Sequence, residues 1–154
     1  MTTSTTPWIK GALALLLGTG AALWGWFGWL LILWAACMGL DLLSGFAAAL
    51  KAHEWSSNKA RSGLWHKGGM LLVVAVALML DVLVGVILKG TRIELPWTYT
   101  VMLSPLVLVW YALTELGSII ENAVKLGAPV PSWLIKALKI GKDAVDTAGD
   151  QIGK

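Results

Sequence analysis

Charge is scarce in this chain. Asp, Glu, Lys and Arg make up 14% of its 154 residues, and residues 11–40 contain none of them. Soluble domains carry roughly 25%. Cysteine is reduced to one, Cys37, which excludes an internal disulfide and leaves nothing spaced as a zinc site. Set in an apolar stretch, Cys37 reads as a small buried side chain. The two histidines, His53 and His66, have no third ligand spaced near them, so they read as solvated or interfacial groups. The sequence has no Gly-x-Ser-x-Gly, no phosphate loop and no His-Glu-x-x-His. It has no soluble stretch with the paired carboxylates or metal site that cleavage of peptidoglycan needs. No enzyme, catalytic residue, cofactor or metal is expected. The net charge of +3 comes without a basic run of the kind that binds nucleic acid.

What is abundant is apolar surface. Hydrophobic residues reach 57%, and the mean hydropathy is +0.73. Ten tryptophans stand against two Phe and two Tyr, and Trp favours the membrane–water interface. The composition reads as an all-α integral membrane protein. A helix crosses the hydrocarbon layer with ~20 apolar residues, and the runs are divided accordingly. The stretch from Lys10 to Lys51 predicts a tight hairpin of helices near 8–24 and 28–51, turning at Gly25-Trp26-Phe27-Gly28, where glycine accepts turn geometry. A cleaved signal peptide over 1–22 is the rival reading of its first part. Further spans are expected near 67–88 and 96–126, the last with Pro105 inside it as a kink. These four make a transmembrane domain over 1–131. Gly127-Ala128-Pro129-Val130-Pro131 ends the last span. Ser132 then reads as the N-cap of an amphipathic helix, within a cytoplasmic segment 132–154. Leu134, Leu138, Gly141, Val145, Ala148 and Ile152 recur on it at helical spacing. Such a helix lies on a membrane surface or packs on a partner and is not expected to span.

Orientation follows from Lys and Arg, which concentrate on the cytoplasmic side. Under the four-span reading, Lys10, Lys51, Lys59, Arg61, Lys67, Lys125, Lys136, Lys139, Lys142 and Lys154 share one side, and Lys89 and Arg92 the other. The loop 51–67 and the C-terminus are therefore expected in the cytoplasm. Lys59, Arg61, Lys67, Lys136, Lys139 and Lys142 would meet the membrane surface. The tryptophans fall into two belts: Trp24, Trp26, Trp29 and Trp97 outside, and Trp8, Trp55, Trp65 and Trp133 inside. Trp34 and Trp110 lie deeper.

The informative polar residues are acids within apolar spans, Asp41, Asp81 and Glu115, because ionisable groups inside a membrane default to functional roles. Counted from Lys51, Lys125 and Lys67, they lie ~15, ~15 and ~21 Å along their helices. This predicts one acidic middle layer, serving as interhelical glue, as a wet pore or oligomer interface, or in ion coupling. Ser44, Gly45 and Ala48 share the face of Asp41, and small residues let helices approach closely. That face is expected against another helix, of this chain or of a second copy. Glu121 and Lys125 are spaced to pair.

These residues together resemble the phage-type holin family of lysis and toxin-secretion cassettes. Asp41-Leu42-Leu43-Ser44-Gly45 is similar to the family's D-x-x-[TS]-G. The basic stretch from Ser57 through Lys59 and Arg61 to His66-Lys67 and the acid Asp81 follow. The fourth block is Tyr111, Glu115, Ser118-Ile119-Ile120-Glu121-Asn122, Gly127-Ala128-Pro129-Val130-Pro131 and Leu134. The resemblance covers roughly 38–138, and the order and spacing of its blocks make it specific. Ser118, Glu121, Asn122, Gly127, Pro129 and Pro131 are the motif positions. His66-Lys67 departs from the adjacent basic residues more usual there, and the first span is unusually rich in Trp and Gly. The resemblance implies a protein that self-associates in the bacterial cytoplasmic membrane and permeabilises it, so that a peptidoglycan hydrolase or toxin escapes; the tail 132–154 would then tune timing rather than build the lesion. Its partners would be the lipid bilayer, copies of itself and, functionally, that hydrolase. A small proton-coupled transporter could use the same acids, though no internal repeat of the kind transporters carry is evident. A non-pore adaptor or antiholin is the other alternative.

Overall fold

The structure is a computed structural model and describes residues 25–54, 56–91 and 102–152. Among these residues there are four helices: α1 (Trp26–Lys51), α2 (Ser57–Thr91), α3 (Leu103–Lys125) and α4 (Ser132–Ile152). Of these, α1, the segment Ala60–Thr91 of α2, and α3 are long and apolar enough to cross a membrane. The expected helix near 8–24 lies outside the described residues.

The outward surface is what a bilayer requires. Leu33 and Leu43 on α1, and Leu72, Val82 and Val86 on α2, are each more than half exposed. A helix that is apolar all round is stable when lipid covers what the protein does not. Inside, Trp34, Met70, Val74, Leu108 and Ala112 form one core cluster, and Trp34 stacks on Tyr111 at 6.2 Å. The hub is α3. It packs extensively on α1 and also on α2 and α4, whereas α1 and α2 touch each other little.

The helix ends explain the boundaries. Trp26, Phe27 and Gly28, expected in a turn, are helical, and only Gly25 precedes the helix. Phe27 packs against the core, which draws the first turn of α1 inward. α1 ends in a Schellman arrangement. The His53 N–H donates to Leu50 O and the Glu54 N–H to Ala49 O, with His53 at φ 53. α3 ends the same way, with Gly127 N–H to Val124 O and Ala128 N–H to Ala123 O. Here the left-handed position, φ 92, is filled by glycine, which adopts it freely. Pro129 and Pro131 then keep the chain from re-entering a helix before Ser132.

Two spans differ from expectation. α2 begins at Ser57 rather than near 67, so most of the expected basic loop is helix. At 35 residues it is ~52 Å long, well beyond a hydrocarbon core of ~30 Å. α3 begins at Leu103 rather than near 96. Pro105 therefore falls in its first turn, where a missing N–H costs nothing, and does not kink it.

Two ends of the bundle can be distinguished. Lys51 Nζ donates to Leu126 O at 2.6 Å, which joins the ends of α1 and α3. Asp81 accepts from the start of α3, which joins the far part of α2 to the opposite end. Trp26 and Trp29 lie toward the latter end, Trp65 and Trp133 toward the former, and all four are more than 60% exposed. Trp8, Trp24, Trp55 and Trp97 lie outside the described residues.

A buried ionic node between three spans

The three intramembrane acids do not form one layer. Lys67 is 5% exposed, not at a surface as the charge count predicts. Its Nζ lies 3.0 Å from Asp41 Oδ2 and donates to Glu115 Oε2. Depth counted from Lys67 as a boundary is thus counted from the wrong place. Lys67 is level with Asp41 and Glu115, and Asp81 lies fourteen residues further along α2, ~21 Å away.

The node takes one charged group from each span. Asp41 comes from α1, Lys67 from α2 and Glu115 from α3, with Lys67 and Glu115 buried. Asn122, two turns beyond Glu115, donates through Nδ2 to Asp41 Oδ1 at 3.1 Å and to Ser44 Oγ at 3.1 Å. Ser44 Oγ in turn donates to Asp41 O at 3.1 Å. The small face of α1 is therefore turned to α3 of the same chain. A Cβ on Gly45 would lie 3.4 Å from Asn122 Nδ2, at contact distance, so this face of α1 lies directly against α3. Ala48 is buried on the same face. Burying three formal charges is tolerable only because each faces an opposite charge or a hydrogen-bond partner.

Asp81 does something different. Its Oδ1 accepts from the N–H groups of Met102 at 3.2 Å and Leu103 at 2.9 Å. Its Oδ2 accepts from the Ser104 N–H at 2.7 Å and the Ser104 hydroxyl at 2.6 Å. A carboxylate on α2 thus caps α3, satisfying the orphan donors at its start and favouring the positive end of its dipole. Ser104 is fully buried beneath it.

A cavity of about 550 Å³ opens beside the node, lined among others by Glu54, His66, Lys67, Glu115, Glu121 and Asn122. It gives the node a polar flank. Among the described residues no group of three or more His, Cys, Asp or Glu could hold a metal ion.

The remaining predicted positions scatter. Ser118 Oγ donates to Thr114 O at 3.3 Å within α3. Gly127 sits where an added Cβ would meet Lys51 Nζ at 3.3 Å. Pro129 and Pro131 are exposed in the connector, and Arg61, Lys136 and Lys139 are exposed on their helices. The Lys59 side chain lies outside the described set. Lys142 is drawn onto α3, its Nζ 4.4 Å from the Trp110 ring. Sequence reasoning missed the role of Lys67, yet a signal existed. Lys67, Met70, Val74, Ala77 and Asp81, all buried, recur at steps of three and four, so one stripe of α2 begins and ends in a charge.

A model of the bacteriophage holin family matches residues 18–143. The chain is 38% identical over 100 residues to an uncharacterized 14.9 kDa protein in the nagH 3' region of Clostridium perfringens, covering 65% of this chain and 67% of that one. A second uncharacterized protein, from Clostridium perfringens strain 13, is 37% identical over 100 residues, 65% of each chain. An uncharacterized protein of Halalkalibacterium halodurans is 28% identical over 134 residues, 87% of this chain and 93% of that one. No solved structure matches the chain.

Proposed function

Because the chain belongs to the bacteriophage holin family and is a multi-pass membrane protein, we propose that it assembles with copies of itself in the bacterial cytoplasmic membrane and permeabilises it. The lesion releases a cell-wall hydrolase or toxin. The observation that carries the reading is the node of Asp41, Lys67 and Glu115. A sealed, dispersed protomer must hide its polar groups from lipid, and the node does so by pairing two acids on one lysine. A leaky assembly can turn the same groups toward neighbouring copies or water, at modest cost because each pair is exchanged rather than lost. By the distribution of Lys and Arg, the end holding Lys51, Lys125 and the connectors 52–56 and 126–131 faces the cytoplasm.

Inducible expression in a bacterium tests this, with membrane potential and release of a cytoplasmic reporter enzyme followed in time. The parent protein should collapse the potential and release the reporter. Asp41→Leu and Glu115→Leu should insert but alter oligomer size on crosslinking and shift the onset, with Asp41→Asn and Glu115→Gln milder. Intact potential and a retained reporter at full protein levels would falsify the reading. Asn and Gln variants as damaging as Leu would make ionisation itself essential and favour proton coupling.

A further inference from the structure

α4 does not project from the bundle; it runs back along α3. A Cβ on Gly141 would lie 3.4 Å from Leu113, and one on Gly149 would lie 3.8 Å from Leu106. Between them, Trp110 Nε1 donates to Asp146 Oδ1 at 2.7 Å, and Lys142 covers the same ring. The helix thus reaches almost to the start of α3. Its 21 residues span ~31 Å, close to the ~30 Å of a hydrocarbon core.

This packing uses only part of α4. Leu134, Leu138, Gly141 and Val145 lie toward α3 and are half-buried. Lys136, Lys139, Lys142, Asp143, Asp146 and Asp150 occupy ~120° of the circumference, an arc that Ile135 interrupts near the start of the helix. All but Lys142 are exposed. A third strip carries Trp133 and Ile140, 67% and 68% exposed, with Ala144 between polar and packed faces. Where α3 crosses the bilayer, α4 carries six charges through the same depth. Such a stripe is not stable against lipid; it requires water. A second observation points to the same side. A groove of about 650 Å³ between α3 and α4 carries Thr114, Ser118, Glu121, Lys139 and Lys142 among apolar residues such as Ile120 and Ile135, so polar side chains of α3 stand on the same side as the stripe.

We infer that the polar stripe of α4 lines a water-filled path enclosed by several copies of this chain, with the Trp133–Ile140 strip against the next copy. This rests on the permeabilisation reading and names the element that forms the wall. It reverses the expectations that this helix lies on the cytoplasmic surface without spanning, that it leaves the C-terminus in the cytoplasm and that it only tunes timing, because a regulatory surface helix has no need to lie along a span. Lysines line the half of the path nearest the 126–131 connector, and aspartates line the other half.

Purified full-length protein in planar bilayers under a salt gradient tests the inference. Asp143→Lys with Asp150→Lys should move the reversal potential toward that of the anion, and Lys136→Glu with Lys139→Glu should move it the opposite way. In a Cys37→Ser background, a charged methanethiosulfonate should alter the current through Asp143→Cys and Asp150→Cys but not through Ala137→Cys. These single cysteine variants decide the matter if the charge-reversed chains do not insert. Unchanged reversal potentials and unmodified currents at 143 and 150, from a parent that conducts, would overturn the role of α4 alone. A parent that passes no current would overturn permeabilisation itself, and this inference with it.

Discussion

Lys67 Nζ lies 3.0 Å from Asp41 Oδ2, and this ion pair crosses two helices that otherwise barely touch. α1 and α2 are held together chiefly through α3 and through this one lysine. Removing Lys67 leaves two carboxylates buried near one another. Breaking a buried pair from one side costs about 3–5 kcal/mol. Lys67→Met is therefore expected to lower steady-state accumulation in membranes and resistance to detergent unfolding. Adding Glu115→Gln should recover part of the loss. Unaltered unfolding of Lys67→Met would mean that the node contributes nothing to stability.

Asp81 acts on the start of α3 and not on the node. Asp81→Ala leaves the Met102, Leu103 and Ser104 amides without their acceptor, at a cost of about 2 kcal/mol. Hydrogen exchange should accelerate at those amides while the Asn122–Asp41 contact persists. Asp81→Asn, which keeps an acceptor oxygen, should fall between the two. Unchanged exchange at 102–104 would remove Asp81 as a cap.

The two Schellman ends make a matched pair. His53 holds a left-handed backbone with a side chain present, and Gly127 holds it without one. An L-residue there costs roughly 1–2 kcal/mol. His53→Gly is expected to raise stability by about 1 kcal/mol. Gly127→Ala should lower it, because the new side chain meets the same left-handed backbone, φ 92. Thermal unfolding in detergent measures both, and equal midpoints for all three chains would contradict the strain argument.

The proposed orientation is checked by thiol labelling in a Cys37→Ser background. Lys59→Cys and Ala128→Cys should be closed to an impermeant reagent in intact cells before any permeabilisation, and open in inverted vesicles. Labelling of either in intact cells at that stage would put the connector end outside.

The sequence by itself determined the class and the repertoire of groups. Charge-free runs over 11–40 and 68–80 admit no soluble packing, and a backbone in lipid must satisfy its own hydrogen bonds, so helices follow. The periodicity of 132–152 depends on nearest turns alone, and that helix appears over the same residues. The small face of Asp41, Ser44, Gly45 and Ala48 was legible too, because close approach demands small side chains whichever helix arrives. What arrives was decided only by the tertiary structure. Asn122 meets that face because α3 runs beside α1. Lys67 leaves the surface because two carboxylates from other helices converge on it. Asp81 leaves the acidic layer because its carboxylate finds three N–H groups at the start of a neighbouring helix. A lone charge beside an apolar run reads as a boundary, and the depth of every group counted from it inherits that assumption. Whether it is a boundary or a buried partner depends on groups tens of residues away, which periodicity and composition, being local, do not report.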